Sequence, residues 1–340
     1  MTKKAVALVS GGLDSTLAVK LVLEQGVQVV GLYLSAPWGC CDKTKAMKAA
    51  AQLGIEFMVV KMTQEYIRVI RAPKYGYGSS MNPCIDCRIY MFHKAKELMH
   101  QVGASFIVTG EVLGQRPMSQ MRRALRLIEQ DSGLDRLILR PLSAKLLPIS
   151  LPEEEGIVDR EKLYGIAGRS RKDQMELATR YGILDYPNAA GGCLLTDQEF
   201  GNRVRDLFDH QEKIDLEDME LLRLGRHFRV DAHTKLIVGR NEEENATLRE
   251  YLAPGRLLFV PEFAGPAVLL VGRPTDEEAR RLAVAFIAHY TKPEKRPAGA
   301  RITCQVGVSR EETGQMAPLE EQISLDQSKV EISSMETMRV

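Results

Sequence analysis

No apolar run in the 340 residues approaches the ~20 needed to cross a bilayer. The amino terminus, Met-Thr-Lys-Lys, leads directly into an apolar stretch and carries no signal-peptide pattern. Both absences lead us to expect a cytoplasmic protein with no membrane partner. The glycine-rich phosphate loops GxxxxGK[ST] and GxGxxG are missing, and so are internal repeats. A second CxxC, which would complete a four-thiolate zinc site, is also missing. Net charge is only +1. Residues 1–200 hold 26 Lys and Arg against 21 Asp and Glu, an excess too small to establish nucleic-acid binding by itself.

What is present begins at residue 5. The apolar run 5–9 reads as a buried strand, followed by Ser10-Gly11-Gly12-Leu13-Asp14-Ser15 and then a helical pattern through Leu17, Leu21 and Val22. Strand, glycine turn and helix together point backbone N–H groups and a helix N-terminus at an anion. The glycines allow close backbone approach, and Ser10 and Ser15 add hydroxyl donors. Asp14 would repel a phosphate directly, so a Mg²⁺ held through water is its natural partner. Strands follow at 27–34, 55–61 and 104–108, with a helix at 43–53, which predicts an α/β fold with a mostly parallel sheet. Ligands in such sheets bind at the carboxyl ends of the strands. A short strand at 137–142 carries Arg140. The Gly-, Ser- and Tyr-rich residues 72–82 are expected to form a mobile segment over the site.

SGGLDS between a first strand and a helix resembles the signature of the PP-loop ATP pyrophosphatases, which cleave ATP between its α- and β-phosphates. The resemblance implies ATP and Mg²⁺ held by Ser10, Gly11, Gly12, Asp14 and Ser15. It also implies that the adenine lies on backbone at Leu32 and Tyr33. Thr109 and Gly110 are expected to line the nucleotide pocket, with help from Arg140.

Six cysteines in a chain of this kind suggest metal or catalytic thiols before disulfides. In Asn82-Pro83-Cys84-Ile85-Asp86-Cys87, Asn82 is expected as N-cap and Pro83 as first helical residue, with both thiols in the opening turn. A helix N-terminus and Arg88 would favour thiolate. A third cysteine, Cys193, follows the glycine turn at 189–192. Three thiols beside a nucleotide site suit either a [4Fe–4S] cluster with one open iron or a persulfide relay. The extra thiol of Cys84 favours the cluster, with Cys84, Cys87 and Cys193 as ligands. Cys40, Cys41 and Cys304 read as buried or incidental thiols. NPCIDC is similar to the NPxxxC stretch of bacterial tRNA 2-thiouridine synthetases, whose catalytic thiols fall on Cys87 and Cys193. Cys84 departs from that pattern and looks like the iron–sulfur-dependent tRNA thiolases. TGEVLGQRPMSQ and AGGCLLTD are similar to stretches of tRNA 4-thiouridine synthase-like proteins.

The resemblance covers about the first two hundred residues. Residues 1–202 are expected to form this thiolase domain, with 203–215 as a charged helical linker. Residues 216–292 read as a small α/β domain with strands at 236–238, 257–260 and 268–271 and a helix at 276–289. Their stretch HTKLIVGRNEEENATLREYLAPG resembles the RNA-binding module of ribosome-quality-control proteins of the fibronectin-binding family. The tail, 293–340, is expected to hold strands at 301–306 and 329–332 and to be partly disordered.

The expected activity is ATP-dependent tRNA sulfur transfer, with Asp14, Cys87 and Cys193 catalytic. Arg116, Arg122, Arg123 and Arg126 contact tRNA phosphate, or else form a solvated helix face. The partners are tRNA and a sulfur donor (sulfide or a persulfide carrier), and a homodimer is compatible with this reading. Rivals are lysidine-type adenylation, amidation of a small molecule, sulfur insertion into a cofactor, and a non-catalytic ATP-responsive RNA-binding or iron–sulfur protein.

Overall fold

Lys4–Leu8 (β1) is the central strand of the first unit, and its four apolar residues are buried. The structure, a computed structural model, describes residues 2–38, 43–186, 192–273, 275–297, 299–307, 320–324 and 338–340. Two units divide at residue 198. In the first, β1 is followed by α1 (Leu13–Leu23), β2 (Gln28–Ser35), α2 (Lys43–Leu53), β3 (Glu56–Lys61) and α3 (Gln64–Arg71). Then come α4 (Cys84–Gln101), β4 (Phe106–Thr109), α5 (Arg122–Asp131), β5 (Ile138–Leu139), α6 (Leu151–Glu154) and α7 (Lys172–Arg180). The five strands form one parallel sheet in the order β3-β2-β1-β4-β5. The chain winds outward from β1 through β2 to β3, then returns to place β4 on the other side of β1. The order reverses at β1, so a crevice opens beyond the carboxyl ends of β1 and β4, where doubly wound sheets hold ligands.

α1 is apolar around most of its circumference because it is buried on two sides. Ala18, Val19 and Val22 pack on the sheet with Val29, Phe106 and Val108. Leu13, Leu17 and Leu21 pack with Leu177 and Ala178 of α7. Two glycines set how closely its N-terminus can sit. Gly11 has φ +74°, and a Cβ there would lie 2.6 Å from the backbone N of Ala46 in α2. A Cβ on Gly110, just past β4, would lie 2.4 Å from the backbone N of Ser15. Only hydrogen fits at either position. The sequence reading gave Gly11 to a phosphate; its tight contact is with a helix.

In the second unit, α8 (Gln198–His210), which begins at the boundary, and α9 (Leu216–Leu221) precede β6 (Arg226–Arg229), β7 (Lys235–Val238), α10 (Glu242–Glu250) and β8 (Arg256–Pro261). They are followed by β9 (Val268–Val271), α11 (Glu277–Tyr290), β10 (Arg301–Val306) and β11 (Glu320–Ser324). The six strands are ordered β11-β10-β8-β9-β7-β6, and every pairing is antiparallel. α11 buries Leu282, Ala283 and Phe286 in one core with Phe228, Phe259 and Ile302.

The small domain is an antiparallel sheet with helices, and no parallel pairing occurs among its described strands. Residues 203–210, expected as part of a charged helical linker, are helical but pack inward: Val204, Leu207 and Phe208 are buried, and Asp206 takes two hydrogen bonds from Arg229, at 2.8 and 2.7 Å, and one from Lys235 at 2.8 Å. The strand expected at 301–306 is β10, and its Ile302 and Cys304 are fully buried. Cys304 is thus a core residue. Cys40, Cys41, the first part of the glycine turn at 189–191 and the strand expected at 329–332 lie outside the described residues.

Gly11→Ala should destabilise the first unit by about 1–3 kcal/mol, through overpacking against α2 and the positive φ. Trp38 is the only tryptophan and is fully buried in this unit, so its emission during denaturant unfolding reads that change. An unchanged midpoint would mean that α2 yields without cost.

Candidate active site

A cavity of about 370 Å³ opens beyond the ends of β1, β2 and β4. Its floor is the Ser10–Ser15 turn, and Leu32 and Tyr33 of β2 and Thr109 and Gly110 after β4 form walls. Of the expected nucleotide residues, Ser10, Gly12, Asp14, Ser15, Leu32, Tyr33, Thr109 and Gly110 line it, while Gly11 and Arg140 do not. The turn is tied to itself: Ser15 Oγ donates to Gly12 O at 2.9 Å, Thr16 Oγ1 donates to the same oxygen at 3.0 Å, and Ser10 N donates to Ser15 Oγ at 3.3 Å. Gly12, in extended conformation, is the N-cap of α1, and no side chain caps the helix. Its first amides therefore face the crevice.

Asp14 sits in the first turn of α1. Gln115 Nε2 donates to its Oδ2 at 3.1 Å, whereas its Oδ1 is buried with no hydrogen-bond partner. Burial raises the Asp14 pKa, opposed by the Gln115 hydrogen bond and by the charges of Arg171 and Arg116. A half-satisfied carboxylate among cations fits a hard divalent ion, which takes oxygen ligands and retains water.

Behind the cavity wall runs a line of alternating charge. Arg88 Nε of α4 lies 3.3 Å from Glu111 Oε1. Arg140 Nε donates to Glu111 Oε2 at 3.0 Å, and Arg140 also binds Glu129 of α5. This relocates Arg140. Its side chain is 3% exposed and is committed to two carboxylates, so it positions Glu111 and does not meet a nucleotide. Glu111, Arg88, Gln115, Gln120, Arg169 and Arg171 line the cavity but were not picked out as site residues from the sequence. Glu111 adjoins Thr109-Gly110, and that adjacency was the available signal.

The thiols lie next to this cavity. α4 starts at Cys84 with Pro83 as N-cap, one residue later than expected. Asn82 is not the cap; its Nδ2 donates to Cys84 Sγ at 3.1 Å and its Oδ1 accepts from Ser80 N at 3.0 Å. Cys87 Sγ shares a 3.0 Å hydrogen bond with Tyr66 OH, and Tyr66 stacks on buried Trp38. Burial pushes the Cys87 thiol up to about 12; Tyr66 and Arg88 oppose the rise, and Cys193 and Cys84 add to it. The expectation that the helix start makes a thiolate is therefore reversed, because desolvation outweighs the dipole.

Cys193 caps a single 3₁₀ turn, Leu194–Thr196. A Cβ on Gly192, the residue before it, would lie 3.9 Å from Arg116 Nη1, and Arg116 lines the cavity. Cys84, Cys87 and Cys193 thus share one neighbourhood. Among the described residues, however, no three His, Cys, Asp or Glu side chains are grouped to hold a metal ion. As placed, the thiols do not fit a cluster, and no step is derived through one.

Residues 72–82 are tethered over α4. Lys74 N and Tyr75 N donate to Asp86, at 2.8 and 3.1 Å, and Tyr77 OH donates to Ile70 O at 2.7 Å. Ser80 Oγ donates to Asp197 O at 3.2 Å, joining this segment to the Cys193 turn. These hydrogen bonds hold the segment that was expected to be mobile. Of the four arginines expected to face tRNA, Arg116 enters the cavity and Arg122 donates to Leu146 O at 2.9 Å. Arg123 and Arg126 are exposed on α5.

An uncapped helix start beyond a parallel sheet, with an SGGLDS turn and a carboxylate in its first turn, is an arrangement suited to an anion. Residues 1–146 match the family described as thiamine biosynthesis protein (ThiI), and residues 225–326 match the NFACT protein RNA binding domain. Each match covers less than half of the chain. The second match begins later than the expected 216 and runs past 292, in keeping with the strands found in the tail. The chain is 24% identical over 231 residues to the tRNA-specific 2-thiouridylase MnmA of Symbiobacterium thermophilum, covering 61% of this chain and 56% of that one. It is 37% identical over 119 residues to a protein of Methanothermobacter thermautotrophicus named "Probable tRNA sulfurtransferase", covering 33% and 30%. The chain thus spans about half or less of the length of these relatives. The NMN synthetase of Francisella tularensis aligns over 65% of this chain and 83% of its own at 16% identity, with a TM-score of 0.34. No helix among the described residues is long and apolar enough to cross a membrane.

Because protonated thiol dominates at neutral pH, Cys87 should alkylate slowly there. The rate, read by mass spectrometry of the modified peptide, should rise about tenfold per pH unit from 7 to 9. Tyr66→Phe removes a bond that favours the thiolate, so it should slow the reaction further. A plateau below pH 8 would show that Cys87 is already ionised.

Proposed function

We propose that the protein is an ATP-dependent tRNA sulfurtransferase that converts a uridine to thiouridine. The observation that carries this reading is the adjacency of nucleotide cavity and thiols. Cys87 immediately precedes Arg88, and Cys193 lies beside the turn facing Arg116, with both arginines lining the cavity. The matches to ThiI and to an RNA-binding domain support the same reading.

A uracil carbonyl oxygen is a poor leaving group. Attack by that oxygen on the ATP α-phosphate makes an adenylate and releases pyrophosphate, and sulfur then displaces AMP. The amides at the start of α1, with Ser10 and Ser15, orient the phosphates, and Arg116, Arg169 and Arg171 balance their charge. Asp14, through its unpartnered Oδ1, would hold magnesium, which when bound spreads the negative charge of the triphosphate. Cys87 and Cys193 handle the sulfur. A persulfide donor passes its outer sulfur to one thiol, and the terminal sulfur of that persulfide attacks the adenylated carbon and displaces AMP. The other thiol then attacks the inner sulfur, releasing the thiouridine and leaving a Cys87–Cys193 disulfide that an external thiol reduces. The half-buried, protonated Cys87 must be activated for this step, and Arg88 is the nearest cation in its sequence. The cluster and relay forms differ at Cys84: a relay between two thiols tolerates its loss, whereas three-thiolate ligation does not. The ungrouped thiols favour the relay over the cluster expected from the sequence.

A second reading, sulfur insertion into a small molecule, draws on the thiamine biosynthesis description of the matched family. Incubating the chain with MgATP, a persulfide donor, a thiol reductant and bulk tRNA, then analysing nucleosides by mass spectrometry, separates the two. Thionucleoside in the tRNA with equimolar pyrophosphate is the expected result, and pyrophosphate release that ignores tRNA would sink the tRNA reading. Asp14→Asn should lower pyrophosphate release by about a hundredfold or more without altering the Trp38 emission of the folded protein. Cys84→Ser should retain sulfur transfer, and its loss together with protein-bound iron would restore the cluster.

A further inference from the structure

The Arg88–Glu111–Arg140–Glu129 line has no part in the reaction outlined so far beyond the position of Arg88. Glu111 is 1% exposed, Arg140 3% and Glu129 17%, while Arg88, at 26%, is the most accessible of the four. Burying such a row is costly unless each charge meets its opposite, and here each does. Its inner members are paired with each other: Arg140 holds Glu111 through Nε and Glu129 through Nη1. Arg88 is engaged only through Nε, by an ion pair with Glu111. Its two Nη groups, the ends that grip a phosphate or carboxylate in a forked contact, make no hydrogen bond among the described residues. Arg88 lines the cavity, and the residue before it is Cys87.

We propose that Arg88 is a nucleotide-phosphate ligand shared by both halves of the site, held in place by Glu111, and that it makes the environment of Cys87 depend on whether nucleotide is bound. This deepens the proposed function and rests on it. A phosphate oxygen takes the Nη groups while Glu111 keeps Nε. Glu111 cannot swing after the ligand, because Arg140 and Glu129 fix it from behind. With its charge shared by phosphate, Arg88 supports a Cys87 thiolate less. The thiol therefore stays protonated while triphosphate occupies the cavity and becomes easier to ionise once pyrophosphate has left. Glu111 and Arg140 are positioning residues, since neither is placed to touch substrate except through Arg88.

The test measures binding of MgATP and of adenosine to the full chain, together with alkylation of Cys87 with and without a non-hydrolysable ATP analogue. Arg88→Ala should weaken MgATP binding by about tenfold or more and leave adenosine binding unchanged, and Arg88→Lys should recover part of the loss. The analogue should slow Cys87 alkylation in the unaltered protein but not in Arg88→Ala. Glu111→Gln should show the same selective loss of triphosphate affinity; if it does not fold, the two Arg88 variants decide the matter. Equal MgATP affinity in the unaltered protein and Arg88→Ala overturns this inference alone. Failure of the unaltered protein to bind MgATP overturns the function on which it rests.

Discussion

The first unit depends on one steric constraint: two stretches of backbone must touch the start of α1 with no side chain between. Gly11 lies against the backbone of α2, and Gly110 lies against the backbone of Asp14 and Ser15. These contacts hold the N-terminus of the helix at the reversal point of the sheet, uncapped by any side chain and open to the crevice. The partial positive charge of that helix end is the cheapest anion-binding device available, because it uses groups that the fold must leave unpaired in any case. The cavity, the orientation of Asp14 and the reach of the thiols follow from where this end is held.

The charge arrangement around the crevice follows the same logic at longer range. Arginines from the start of α4, from the segment after β4 and from the segment before α7 meet at a cavity whose acidic members, Asp14 and Glu111, are each tied to a partner. The positive excess is therefore local. A net charge of +1 over the whole chain conceals it, since the balancing carboxylates lie elsewhere on the surface.

The strands and the phosphate turn could be read from residue patterns because they are local: β-branched runs, paired glycines and a helix start lie within a dozen residues of each other. The strand order could not, because the position of β4 beside β1 is set by packing across about a hundred residues. A shorter separation hid Arg140, whose carboxylate partners lie 29 and 11 residues away. In sequence it is an arginine at a strand end, and only the fold shows that two carboxylates occupy it. The thiol of Cys87 was misjudged for a related reason. The helix dipole and Arg88 are sequence neighbours, but the desolvation that outweighs them comes from the surrounding fold, and Tyr66, remote in sequence, offsets only part of it. In the second unit short apolar runs marked the strands, β10 included, yet nothing local distinguishes parallel from antiparallel pairing.

The strand order also has a consequence for synthesis. The phosphate turn is complete when the first two dozen residues have emerged, but its far wall is Gly110 and its thiol wall runs from Cys84 to Cys193. Closing contacts of such separation is slow, because loop entropy must be overcome before the contacts repay it. A nascent chain therefore carries an anion-binding helix end well before it carries a site that can use one. The crevice closes only as the last helix of the first unit arrives, so nucleotide should bind to finished first units and not to growing ones.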